Sequence, residues 1–177
     1  MLYTGKGDIG ETTAFGCDQQ RISKSSELPE ALGALDELNA FLGFVKMRAA
    51  DAPRIASAIH DAQEALFSIQ AEIAGADKHL NGRVVETVEA MINHIEKEIP
   101  PITGFSIAGG TELAALLDVA RTIARRAERR LIGAVDAKAC SVADETRRYM
   151  NRLSSLLFAL ARLANHEAGI AEEKPRY

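Results

Sequence analysis

Five arginines and one glutamate fall within ten residues, Arg121-Thr122-Ile123-Ala124-Arg125-Arg126-Ala127-Glu128-Arg129-Arg130. A guanidinium is a planar fork of donors that matches phosphate oxygens two at a time, so such a cluster is chemistry for an oligophosphate. On a helix turning 100° per residue, Arg121, Arg125 and Glu128 lie within about 60° of one another. Their face sits about 110° round from the apolar residues of the same segment, at the border of that stripe rather than opposite it. Arginines four apart repel by roughly 0.2–0.5 kcal/mol unless an anion or a carboxylate lies between them. Two readings follow: a solvated basic face partly compensated by Glu128, or a face built around a bound anion.

A second candidate is N-terminal. Thr4-Gly5-Lys6-Gly7-Asp8-Ile9-Gly10-Glu11-Thr12-Thr13 combines unobstructed backbone amides with Lys6 and the hydroxyls of Thr4, Thr12 and Thr13. Glycines let successive N–H groups converge on an anion, and lysine and threonine add donors. The same composition also suits a flexible tail. Gly5-Lys6-Gly7-Asp8-Ile9-Gly10 matches Gly-x-Gly-x-x-Gly, but only four residues precede it, too few for the strand a dinucleotide fold requires. The Walker pattern is absent. None of His60, His79, His94 and His166 has a glutamate three residues before it, which excludes the Glu-x-x-His ligands of a di-iron bundle. Two weaker features remain. Asp36-Glu37-Leu38-Asn39 sets an acid at the edge of an apolar stripe, and Asn151-Arg152 sits beside a leucine face.

These residues need rigid elements, and the apolar periodicity supplies helices. Leu28, Leu32, Leu35, Leu38, Leu42 and Val45 recur at three and four, with Ser25 or Ser26 as N-cap and Pro29 in the first turn. Asp51 and Pro53 open a second helix to about Ala74, with Ile55, Ile59, Ala62, Leu66, Ile69 and Ile73 on one face. A third covers about Arg83 to Glu98, carries Val84, Val88, Met91, Ile92 and Ile95, and stops at Pro100-Pro101. Thr111 caps a fourth, with an apolar stripe of Leu113, Leu116, Leu117, Ala120, Ala124, Ala127 and Leu131. Ser141-Val142-Ala143-Asp144 resembles a capping box ahead of a fifth, which buries Leu153, Leu156, Leu157, Leu160 and Leu163. Residues 1–24 show no apolar period and read as an ordered loop or an arm. The expectation is one all-α domain over residues 1–177, an up-and-down five-helix bundle of 25–170 preceded by the glycine-rich segment of 1–24.

Composition narrows the partners. Aromatic residues make up 5% of the 177-residue chain and there is no Trp, which disfavours a β-sandwich or barrel. A net charge of −4 argues against nucleic acid. Apolar runs fall short of the ~20 residues of a membrane span, and Met1 to Lys6 contains no apolar signal core. Cys17 and Cys140 form neither a metal pair nor a disulfide framework, which fits a reducing cytoplasm.

Taken in order, the motifs resemble the PduO-type ATP:cob(I)alamin adenosyltransferases. The matching pieces are Thr4 to Gly10 with Thr12 and Lys24, then Gly33-Ala34-Leu35-Asp36-Glu37-Leu38-Asn39, then Phe105 ahead of Gly109-Gly110. They continue through Ala120-Arg121 and Arg125-Arg126-Ala127-Glu128-Arg129 to Asn151-Arg152-Leu153-Ser154 and Leu157 to Arg162. The resemblance spans essentially the whole chain. It implies a homotrimer of ferritin-like, adenosyltransferase-type five-helix bundles with active sites between subunits. It also implies transfer of the 5′-deoxyadenosyl group of ATP to the cobalt of cob(I)alamin or another corrinoid, with release of tripolyphosphate and use of Mg²⁺. The implied ATP site comprises Thr4, Gly5, Lys6, Gly7, Thr12, Thr13, Lys24, Arg125, Arg126, Glu128, Arg129 and Asn151. Mg²⁺ would be held mainly by the phosphates, with Glu128 the one protein carboxylate at hand. Asp36 would pair with Arg121 across the interface, and Phe105 would displace the lower axial ligand of the corrinoid. A corrinoid reductase and a B12-dependent enzyme are the implied partners.

Such chemistry needs no nucleophilic side chain, because cobalt(I) is itself the nucleophile. Four positions depart from the family pattern: Ala108 for Pro, Asp118 for His, Ser155 for Asp and Leu28 for Arg. They bear on the corrinoid side of the site more than on ATP. The alternative is a non-catalytic helical bundle that binds a nucleotide or passes a corrinoid to a partner.

Overall fold

The computed structural model describes residues 2–13 and 20–176. Five helices form where the apolar periods predict them: α1 Glu27–Arg48, α2 Pro53–Ile73, α3 Gly82–Glu98, α4 Glu112–Asp136 and α5 Asp144–Glu167. They are preceded by an antiparallel pair of three-residue strands, β1 Glu11–Thr13 and β2 Arg21–Ser23, with Thr12 opposite Ile22. Strands that short carry no readable alternation, so the sequence showed only an irregular segment there. Phe15 and Cys17, with the rest of 14–19, lie outside the described residues.

Cross-helix pairs fix the directions of the helices. Arg126 and Arg130 near the end of α4 meet Glu37 and Glu30 near the start of α1, so these helices are antiparallel. Asn165 at the end of α5 accepts from the amide of Thr111 at the start of α4, which makes that pair antiparallel too. Gly82 at the start of α3 lies beside Glu145 at the start of α5, and Arg162 late in α5 reaches the Pro100 carbonyl just past the end of α3, so α3 runs parallel to α5. Arg54 at the start of α2 pairs with Glu98 at the end of α3, which makes that pair antiparallel, and the directions alternate along the chain. Helices α1, α2, α5 and α4 enclose the core, and α3 packs on the outside of α5. The stripe leucines and isoleucines of α1, α2, α4 and α5 meet there, among them Leu35, Leu38, Ile59, Leu66, Leu117, Leu131 and Leu157. A reciprocal amide pair sets the register of α1 on α2. Gln63 Nε2 donates to the Asn39 carbonyl and to its Oδ1 at 3.0 Å each, and Asn39 Nδ2 donates back to the Gln63 carbonyl.

Two helix starts differ from expectation. Ala52, not Asp51, is the N-cap of α2. The box expected at Ser141 does not form, and Ala143 caps α5 with no side-chain bond of its own. A carboxylate from another helix does the work instead. Glu72, buried at the end of α2, accepts from the Ala143 amide at 2.6 Å and the Thr146 hydroxyl at 2.5 Å. Negative charge at a helix N-terminus is favoured by the aligned peptide dipoles. A long-range cap of this kind cannot be read from local spacing. Glu72→Ala strips both donors of their acceptor and is expected to cost about 1–3 kcal/mol. Thermal unfolding followed by circular dichroism measures it, and an unchanged midpoint would remove Glu72 as the cap. Burial and the same carboxylate push the Cys140 thiol up from its ordinary value, which disfavours the reactive thiolate.

Candidate functional site

The start of α4 is held firmly, and the arginines depend on it. Thr111 Oγ1 accepts from the Ala114 amide at 3.1 Å, the expected cap. Asn165 reaches across from α5, taking the Thr111 amide on Oδ1 at 2.9 Å and donating from Nδ2 to the Gly109 carbonyl at 2.8 Å. Gly110 makes that approach possible. Its φ is +98°, and a Cβ there would stand 2.3 Å from Asn165 Oδ1.

From that anchored start the five arginines diverge in role. Arg126 pairs with Glu37 at 2.6 Å and Arg130 with Glu30 at 3.7 Å, both on the α1 side. Arg129 donates to the Arg125 carbonyl of its own helix. Arg121 is held by Asp118, Nε to Oδ1 at 3.1 Å, and its guanidinium carbon lies 5.8 Å from the centre of the Phe158 ring. Arg125 is exposed and, among the described residues, pairs with no carboxylate. Glu128, three residues on, makes no ion pair with it, and its Oε1 accepts from Asn151 Nδ2 on α5 at 3.2 Å. Asn151 in turn accepts from Arg152, which reaches Glu89 on α3.

Arg121 and Arg125 open onto a groove of about 550 Å³ between α4, α5 and the loop of residues 99–111. Its remaining walls are Ile102, Gly104, Phe105, Ser106, Ser154, Ser155 and Phe158. Three contacts hold the loop to α5 and the segment after it. Buried Arg162 donates to the Pro100 carbonyl at 2.7 Å and pairs with Glu172, and the Ile107 amide donates to the Glu173 carbonyl at 2.8 Å. Asn165 holds the far end, as above. Phe105 rides on this fastened loop with 79% of its surface exposed, so it packs nothing inside its own chain. An aromatic ring kept in water on an anchored loop, facing two arginines, is suited to meeting a large flat ligand.

The glycine-rich segment is ordered by different contacts. Arg21 on β2 donates to the Lys6 carbonyl at 2.6 Å and pairs with Glu11 at 2.8 Å. Lys24 Nζ donates to the Gly7 carbonyl at 2.7 Å, and a Cβ at Gly7 would stand 2.8 Å from that nitrogen. Gly5 and Gly10 carry the turns on either side. A second pocket of about 440 Å³ results, lined by Thr4, Lys6, Gly7, Glu11, Thr12, Thr13 and Arg21.

The candidate residues thus fall into separate groups within one chain. Thr4 to Gly7, Thr12, Thr13 and Lys24 form one, Arg121, Arg125 and Phe105 another, and Glu128 with Asn151 a third beside Arg125. The two pockets share no lining residue. Arg126 faces α1 instead, and Asp36 is exposed on α1 with no ion pair among the described residues. Sequence reasoning gave no role to Arg21, Phe158, Arg162 or Asn165. For Arg162 and Asn165 a signal existed, since they are the polar groups in Ala159 to Asn165, a run otherwise apolar and buried throughout. For Arg21 none did, because its contacts depend on the strand pairing. Among the described residues, no helix is long and apolar enough to cross a membrane, and no cluster of three His, Cys, Asp or Glu could hold a metal.

Residues 2–164 match the family model described as cobalamin adenosyltransferase. The chain is 38% identical over 174 residues to the corrinoid adenosyltransferase PduO of Citrobacter freundii, an alignment covering 94% of this chain and 50% of that one. It therefore spans about half the length of that relative. Against the corrinoid adenosyltransferase of Bacillus subtilis (strain 168), identity is 34% over 97% of this chain and 90% of that one. Among solved structures, a phenylalanine-to-histidine variant of a PduO-type ATP:corrinoid adenosyltransferase from Lactobacillus reuteri, complexed with cobalamin and ATP, superposes with a TM-score of 0.91. It is 28% identical, over 99% of this chain and 97% of that one.

Proposed function

The chain belongs to the cobalamin adenosyltransferase family, and from that premise we propose that it transfers the 5′-deoxyadenosyl group of ATP to the cobalt of a reduced corrinoid, yielding the adenosylated corrinoid and tripolyphosphate. The observation that carries this reading is the groove that sets Arg125, a guanidinium with no carboxylate partner, within reach of two exposed or half-exposed phenylalanines. A polyanion and a broad, largely apolar macrocycle are the two kinds of ligand such a groove accommodates together.

The reaction balances without a protein nucleophile. The cobalt(I) electron pair forms the Co–C bond at C5′ while the C5′–O bond breaks, and that bond pair leaves with tripolyphosphate. Charge on the leaving oxygens grows as the bond lengthens, and donors already aimed at them lower the barrier. Arg125 and Arg129 supply guanidinium donors, while Thr4, Lys6, Thr12 and Thr13 supply the amides, ammonium and hydroxyls of a phosphate cradle. Lys24 and Arg126 act one step back: Lys24 shapes the cradle through the Gly7 carbonyl, and Arg126 ties α4 to α1. Glu128 and Asn151 hold one another beside Arg125. Mg²⁺ keeps most of its ligands as water and phosphate oxygen, so one carboxylate such as Glu128 is all the protein need provide when the nucleotide brings the ion. Phe105 excludes an axial ligand and water from the lower face of the corrinoid, which makes the cobalt easier to reduce.

Within one chain the cradle and the groove are separate, and Asp36 has no ion pair among the described residues. Both observations favour sites completed between subunits, with Asp36 of one subunit against Arg121 of the next; that the assembly is a homotrimer rests on the family resemblance. We place the protein in the cytoplasm as a single domain, fed by a corrinoid reductase and serving a B12-dependent enzyme. Anaerobic incubation with reduced cobalamin and MgATP tests the reading through the absorbance of the adenosylated product. Nucleotide binding with no product would leave a non-catalytic binding bundle.

A further inference from the structure

We propose that Asp118 is a positioning residue for the corrinoid side of the groove, acting by fixing Arg121 against Phe158; the inference rests on the adenosyltransferase reading above. The two arginines of the groove are held differently. Arg125 is exposed with no acidic partner among the described residues, whereas Arg121 has two neighbours, the Asp118 carboxylate at 3.1 Å and the Phe158 ring at 5.8 Å. Asp118 is itself sheltered, its side chain 13% exposed, and that of Arg121 only 29%. A charge-assisted bond in such partial burial is less screened than a surface pair.

The bond uses Nε, one edge of the guanidinium. Among the described residues the terminal nitrogens engage nothing, which leaves them for Asp36 of the next subunit, and their direction is set because the inner edge is tied. Arg121 held in this way has less rotamer freedom left to lose when the site is completed and a ligand binds. Asp118 also neutralises one member of an arginine pair spaced four apart, so Arg121 and Arg125 stand together without a bound anion. The neutralised, ring-backed Arg121 adjoins Phe158, Ser154 and Ser155, which form the wall facing Phe105. That wall suits a flat macrocycle edged with amide oxygens, while unneutralised Arg125 is left for phosphate.

The test compares D118N and D118E with the unaltered protein by two readouts, the dissociation constants of cob(II)alamin and of MgATP and the steady-state KM and kcat for each substrate. D118N keeps the shape and loses the charge, and it is expected to weaken corrinoid binding about tenfold, the effect of one lost charge-assisted bond. ATP affinity should stay within about twofold, since Arg125 is untouched. D118E, which restores the carboxylate, should recover a substantial part of the loss. Unchanged corrinoid affinity in D118N, or an equal loss for both ligands, overturns the proposal. If the unaltered protein binds cob(II)alamin and ATP yet forms no product, the catalytic reading fails, while the binding constants of D118N still decide the role of Asp118.

Discussion

Arg125→Ala is expected to lower kcat/KM for adenosylation by at least tenfold and by about 10²–10³ if Arg125 acts as a full transition-state donor, the range seen when one preorganised oxyanion contact is removed. Stability should scarcely change. Arg125 is exposed and holds no carboxylate in place, so its side chain can be cut back without leaving a buried group unpaired. Arg125→Lys keeps the charge but not the fork and should fall between the two. The loss belongs mainly in kcat, because the charge on the leaving tripolyphosphate is greatest as the C5′–O bond breaks. Single-turnover rates at saturating MgATP measure it. A wild-type rate in the alanine variant would remove Arg125 from the reaction.

Phe105→Ala is expected to cut turnover by at least about tenfold while leaving MgATP affinity unchanged, a split that follows from its contacts. With 79% of its surface in water, Phe105 supports no packing that its removal would undo. The loop that carries it stays fastened through Arg162, Asn165 and Ile107. On the proposed reading Phe105 is the apolar wedge that keeps an axial ligand and water from the lower face of the corrinoid, so the signal of four-coordinate cobalt(II) should weaken in parallel with the rate. Full activity with that signal intact would show that the wedge is unnecessary. Loss of ATP binding would place Phe105 on the nucleotide side instead.

The helices, their order and most of their buried faces were legible before any coordinates. Most leucines and isoleucines of the α1, α2, α4 and α5 stripes appear in the core as expected, Leu32, Leu113 and Leu116 being only half-buried against it, and Thr111 caps α4 as expected. Such features depend on neighbours three or four residues away, which the sequence lists directly. The start of α5 was misread because its cap, Glu72, lies 71 residues from Ala143. The short strands were missed because three residues hold too little pattern to separate from loop.

At the candidate site the sequence brought out the arginine cluster and the glycine-rich segment without dividing roles among their residues. From residue types and spacing alone it determined that a clustered arginine face borders an apolar stripe and that a glycine-rich segment carries Lys6 and three threonines. Only the tertiary structure decided what each arginine does, since that depends on which acids other elements bring near. Glu37 and Glu30 of α1 take Arg126 and Arg130, and Asp118 with Phe158 takes Arg121. Arg125 alone among these four is left without an acid, in the groove beside Phe105. Helical periodicity says which side chains share a face; the packing of separate helices settles which charges are cancelled and which remain for a ligand.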